Sequence, residues 1–307
     1  MPAADEYLPR LRRRLLLDAA DPIFTGPLFI GEEGNARKKL QELTTAKSEG
    51  AVTWNVFRTF EKLPSETWLP ALLREAECTF DGLASPLTVE YWQTVAPSKS
   101  RLLWLLDHLD SIVVQDPRQE ASARTRIERV AEHTDRWRNA ITDGTTRGDG
   151  VFEGSVELDA VLSTPDAIIG VMVRATSDVQ VGTQWDASRD EIGRALDAVL
   201  DLTSDGRQPY FLFVTDDYKH PGVNVVPMAY ESLMPRYRID PAYRASKLPH
   251  RTPDELARLD GHIGWLSLAD MVDAVLDHSS SFPQPSKRML INLVDYLHGR
   301  RLLHKGG

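Results

Sequence analysis

The chain predicts an α/β fold: an αββαβ core in which a mixed sheet is flanked by helices, with a helical insertion ahead of the central hairpin. Three stretches predict it. Val156 to Leu162 alternates apolar and other residues, and Ala167 to Ala175, AIIGVMVRA, follows Pro165-Asp166, so the two read as strands joined by a tight turn. Ser188 to Leu202 then sets Ile192, Leu196, Val199 and Leu200 at helical spacing. Pro209 to Thr215, PYFLFVT, is a continuous apolar run of the kind buried on both faces of a sheet.

Composition narrows the rest. With 42% hydrophobic and 26% charged residues, the 307-residue chain is that of a folded protein, expected as a single domain over 1–307 with residues 64–150 as the helical insertion. No apolar run approaches a membrane span, and the arginine-rich N-terminus lacks the apolar core of a signal peptide, which predicts a cytoplasmic protein with no membrane partner. The single cysteine, Cys78, excludes intrachain disulfides and a cysteine-based zinc site. A net charge of −9 argues against a surface that wraps nucleic acid as a whole, but it leaves room for basic groups confined to one face.

In chain order, Tyr7 to Leu17 reads as an N-terminal helix whose leucines dock and whose Arg10, Arg12, Arg13 and Arg14 are solvated; the other reading is a basic arm for phosphates or an acidic partner. Asp21 to Gly34 reads as an extended connection, and Asn35 to Thr44 as a short helix carrying Lys38 and Lys39. From Glu49 to Leu63, Val52, Val56, Phe57, Phe60 and Leu63 follow a helical period, so this is a core helix. Pro64 stops it, Thr67 to Glu77 forms the next, and Leu87 to Val95 reads as a strand between Ser85-Pro86 and Pro97-Ser98. Lys99 to Leu109 is helical. Gln119 to Ile141 reads as one long helix whose mixed charges suit a solvated surface, and Thr142 to Gly150 as a flexible loop. Beyond the core, Tyr218 to Gly222 reads as a loop, Val223 to Tyr230 as an edge strand and Pro235 to Pro253 as coil. Leu266 to Leu276 is helical, Ser279 to Pro285 a linker, and Lys287 to Leu303 the last helix.

The chemistry concentrates on the hairpin. A two-residue loop at Pro165-Asp166 sets Asp159 opposite Met172 and Glu157 opposite Arg174, with all four side chains pointing the same way. This arrangement resembles the PD-(D/E)xK nuclease superfamily, the restriction-endonuclease-like proteins, which carry a metal-binding Asp on one strand and an acid-x-Lys on the next. By that resemblance Asp159 is the metal acid, while Met172 stands at the second acid and Arg174 at the lysine, so the motif is degenerate. The αββαβ order agrees with it, and by the resemblance Glu49, on the helix before the hairpin, is the candidate for an extra acid of the family, its other reading being an acid in the first turn that suits the helix dipole. The resemblance implies a DNA partner and, if the site is active, Mg²⁺ held by Asp159, Glu157 and Glu49.

Magnesium demands hard oxygen ligands, and the thioether of Met172 is a poor substitute for a carboxylate. Asp190 or Glu191 on the following helix are further candidates for a relocated acid. Arg174 retains positive charge but is useless for proton transfer near neutrality. Opposite Glu157 it is expected to form a cross-strand ion pair. Three readings follow: a DNA-associated nuclease-like protein with impaired or absent cleavage, an active Mg²⁺-dependent endonuclease with relocated carboxylates, and a non-catalytic module for a protein partner. Asp216-Asp217 reads as a turn, and no histidine pair has metal-ligand spacing.

Overall fold

Pro209 to Thr215 lies inside a five-stranded sheet, as its unbroken apolar run requires. The computed structural model describes residues 4–25, 33–80, 82, 85–111, 117–146, 152–183, 186–216 and 227–303. Its strands are β1 (Thr88–Val95), β2 (Val156–Ser163), β3 (Ala167–Arg174), β4 (Gln208–Thr215) and β5 (Ile263–Ser267), hydrogen-bonded in chain order. The β1–β2 and β2–β3 pairs are antiparallel, and β3–β4 and β4–β5 are parallel, so the sheet is mixed. The hairpin keeps the expected register from Ser163 opposite Ile168 to Ala160 opposite Val171, but the ladder stops there, and the expected pairs Asp159–Met172 and Glu157–Arg174 are not part of it. Its turn is closed by the Thr164 N–H, which donates to the Ala167 carbonyl at 2.9 Å.

The helices are α1 (Ala4–Leu11), α2 (Glu33–Leu43), α3 (Glu49–Phe60), α4 (Ser65–Glu75), α5 (Lys99–Asp107), α6 (Pro117–Ala131), α7 (Thr134–Thr142), α8 (Glu191–Leu202), α9 (Ala229–Ile239), α10 (Pro241–Lys247), α11 (Pro253–Ala257), α12 (Leu268–Leu276) and α13 (Gln284–Gly299). They cover both faces of the sheet. On one side Val52, Val56 and Phe60 of α3 join Leu72, Met271 and Leu293 over Ala160, Leu162, Ile169, Val171 and Leu212. On the other, Ile192, Leu196 and Val199 of α8 and Met234 of α9 cover Leu158, Val161, Met172, Phe211 and Phe213. Leu102, Leu105, Val130, Ile141 and Phe152 make a third, smaller core in a lobe of α5, α6 and α7.

That lobe is smaller than the expected insertion. Trp68, Leu69, Leu72 and Leu73 of α4 belong to the main core, so the helices that stand apart begin at α5. The single helix read over Gln119 to Ile141 is two, broken at Glu132 and His133, where His133 leaves helical geometry at φ −132° and ψ 31°. The supposed coil from Pro235 to Pro253 is largely helical. Pro241 and Pro253 each begin a helix, behind the caps Asp240 and Thr252, where a missing N–H costs nothing. β5 is carved from the front of the expected helix at Leu266, and Ser267 ends it by capping α12. Ala229 and Tyr230 open α9, behind Met228 as its cap, rather than close an edge strand; residues 217–226 and parts of the Asp21–Gly34 and Thr142–Gly150 segments lie outside the described residues.

The N-terminal segment docks, but its helix ends at Leu11 instead of running to Leu17, and Leu16 is exposed. Leu11 and Leu15 are buried while Arg12 and Arg13 are exposed. Two residues of α3 hold it there: the Asn55 side chain donates to the Arg14 carbonyl and accepts from the Leu16 N–H, and the Trp54 indole donates to the Leu17 carbonyl. Among the described residues no helix is long and apolar enough to cross a membrane.

One glycine sets how closely α8 sits on the sheet. A Cβ built on Gly170 of β3 would lie 2.3 Å from Val199 Cγ2, far inside van der Waals contact. Gly170→Ala is expected to lower stability by about 1–3 kcal/mol through overpacking, and Val199→Ala in the same chain to recover part of it. Urea denaturation of the single and double variants reads both.

Candidate functional site

β2 and β3 part company at Asp159, and the carboxylate fills the gap. On the β1 side the ladder passes from Tyr91–Ala160 to Gln93–Leu158, skipping the Trp92–Asp159 position, and Trp92 itself has a left-handed backbone at φ 51°. Toward β3 the Val173 N–H donates to Asp159 Oδ2 at 2.8 Å. Arg174 Nη1 donates to the same oxygen at 3.3 Å, and its Nη2 donates to Glu191 Oε1 at 2.6 Å. One guanidinium therefore joins the hairpin acid to the first residue of α8. The second Glu191 oxygen accepts the Gln180 N–H at 3.0 Å.

The other candidates stand around this pair with partners of their own. Glu49, in the first turn of α3, accepts the N–H groups of Thr176 and Ser177 at 2.6 and 2.9 Å and the Ser177 hydroxyl at 2.8 Å, which fastens α3 to the turn after β3. Glu157 does not pair with Arg174 as expected. Its partner is Lys39 of α2, 2.6 Å away, with the ammonium lying over the Trp92 ring. The reason is reach: Arg174 is drawn to the buried Asp159 and to α8, while Glu157 is 44% exposed on its side chain and meets the helix packed beside it. Asp190 is not part of the cluster, for it caps α8 through the Gly193 N–H and accepts the Tyr237 hydroxyl at 2.9 Å. Met172 is fully buried in the apolar layer under α8 and offers no oxygen.

The electrostatics follow from burial. Desolvation pushes the Asp159 carboxyl up to about 6, against the pull of Arg174, Lys39 and the Val173 N–H. Arg174 is held charged, because Asp159 and Glu191 outweigh the burial that disfavours its cation. Magnesium does not fit this donor set: Asp159 and Glu191 are bridged by a fixed cation, and Glu49 and Glu157 are turned to other partners. Among the described residues no three His, Cys, Asp or Glu side chains are grouped to hold a metal ion.

A second polar cluster was invisible in the sequence. Buried Glu153 accepts from Arg101 Nε at 2.8 Å and Arg189 Nε at 3.0 Å, and Arg101 reaches on to Asp186 at 2.7 Å. Arg189 continues to Asp197 of α8 at 2.6 Å, where His250 and Arg251 also converge. Burial opposes ionisation of Asp197, but Arg189, His250 and Arg251 hold its carboxyl far below the usual range. The partners are 50 or more residues apart in several cases, so no local spacing announces them. This network joins the small lobe, through Arg101 of α5, to α8 and the sheet.

Comparison of the chain with protein-family models, with curated proteins and with solved structures finds no match.

Two outcomes are expected. Asp159 binds its proton more tightly in the folded state, so the stability it contributes is fully present below 3.8 and is lost as pH rises through about 6. Asp159→Asn should flatten that fall in urea midpoints; Asp197 and Glu153, whose pKa values are lowered, act in the opposite sense at lower pH. Arg189→Leu should cost roughly 3–5 kcal/mol, since it leaves Glu153 and Asp197 buried with one cation fewer, and chemical denaturation measures it.

Proposed function

We propose that this chain is a restriction-endonuclease-like, DNA-associated protein whose phosphodiester-cleaving centre is silent. The observation that carries the reading is the Arg174 guanidinium bonded to both Asp159 and Glu191. The acids of a hairpin strand and of the helix after it converge there, with Glu49 of the preceding helix contributing its charge to Arg174, and this is the supply of carboxylates a divalent ion would need. The cation among them is instead part of the chain. A guanidinium neutralises carboxylates, but it has no open coordination position for water and does not give up its proton near neutrality.

The order of elements supports the same reading: helix α3, the β2–β3 hairpin, helix α8 and the buried parallel strand β4. An active centre with relocated acids is disfavoured, because each candidate carboxylate is already engaged: Asp159 and Glu191 by Arg174, Glu157 by Lys39, Glu49 by residues 176 and 177, Asp190 by Tyr237.

The test is restoration. The natural chain, incubated with supercoiled DNA and Mg²⁺ or Mn²⁺, is expected to leave it intact. Met172→Glu combined with Arg174→Lys should produce metal-dependent cleavage that Asp159→Ala abolishes, together with a rise in melting temperature on adding Mn²⁺. Because Met172 is fully buried, circular dichroism must first show that the variant folds. Cleavage by the natural chain that disappears with Asp159→Ala overturns the proposal, as does a folded double variant that neither cuts nor responds to metal.

A further inference from the structure

We propose that the groove between α6 and α7 binds the phosphate backbone of a nucleic-acid strand, an inference that rests on the DNA-associated reading and gives it a surface. The break at Glu132 and His133 folds the basic stretch back on itself. Val130 and Ile141 are thereby buried in the lobe core, and Trp137 packs edge-on against Phe152 at 5.4 Å. What the fold leaves open is a cavity of about 650 Å³ whose walls include Arg126, Arg129, Arg136, His133 and Trp137, with Glu132 the one carboxylate among the described residues.

Arg129 and Arg136 set two exposed guanidinium groups beside one hollow, where an anion would meet both. The contrast with the chain's buried and half-buried arginines is sharp. Arg58, Arg101, Arg174, Arg189 and Arg251 all bond to carboxylates, whereas Arg129 and Arg136 form no ion pair with another described residue and are exposed. Guanidinium forks match phosphate oxygens two at a time. The volume is in the range of sites that hold small molecules, which suits a nucleotide unit of a strand.

Trp137 and His133 favour nucleic acid over an acidic peptide, because flat rings beside a cationic track are what bases stack on. The chain's net charge of −9 sharpens the assignment: away from local basic patches the surface repels a polyanion, so binding must be confined and strongly salt-dependent.

The experiment is fluorescence anisotropy of the full chain with labelled single- and double-stranded oligonucleotides of about 20 nucleotides across a salt series. Arg129→Glu with Arg136→Glu should weaken binding at least about tenfold and reduce the log–log salt slope by about 2, one for each lost phosphate contact. Arg12→Glu with Arg13→Glu changes the net charge equally at another exposed basic site and should leave the affinity within about twofold. Arg129→Gln with Arg136→Gln, checked by circular dichroism, guards against a folding effect. Equal losses in both glutamate pairs, unchanged binding in the first, or equal competition by a polyglutamate peptide overturns the groove. Failure here is separable from failure of the silent-nuclease reading: a restored variant that cuts DNA while the groove variants bind normally removes only the groove. Loss of binding in the groove variants without restorable cleavage removes only the nuclease ancestry.

Discussion

The contact between Arg174 and the carboxylates of Asp159 and Glu191 fixes three elements at once. β2 and β3 diverge where Asp159 turns its oxygen to the Val173 N–H, and the N-terminus of α8 is held over that gap by Glu191. A buried carboxylate without a partner would be costly; one that accepts a backbone N–H and a guanidinium is tolerable, and the gap in the ladder is the geometric result. Interruptions of this kind re-aim a side chain out of the strand's alternation. They concentrate beside functional sites, which is why the position of Asp159 carries more weight than its residue type.

The same cluster separates two ways of neutralising acids. A metal ion does it while keeping a coordination position for water; an arginine does it with directed hydrogen bonds and no vacancy. Met172 fits the second arrangement, since a thioether packs into the layer of Leu158, Val161 and Phe213 where a carboxylate would need a cation of its own. The two residues are coherent together: one adds apolar contact below the cluster, the other supplies the charge above it.

Much of this was legible in the sequence because it is local. The turn at Pro165-Asp166 and the alternation before it set the hairpin register, and the apolar spacing after Asp190 set α8. What the sequence concealed depends on distance or on context. Lys39 reaches Glu157 across 118 positions, a pairing that no window reveals. Pro241 and Pro253 read as breakers until the caps before them show that they are helix starts. β5 is five residues long and runs straight into a helix, so its apolar residues were absorbed into the helical pattern. The break in the α6–α7 stretch had no Gly or Pro to mark it.

The chain of bonds from Arg101 through Glu153 and Arg189 to Asp197 has a bearing on how the molecule comes apart. The three-helix lobe has its own small core, and by that measure it resembles an independent module. Yet buried Arg101 finds its carboxylates, Glu153 and Asp186, only outside the three helices, so separating the pieces would strand that cation in a dry interior. Lobe and sheet are therefore expected to open together, because parting them would leave Glu153 and Asp186 each short of a cation.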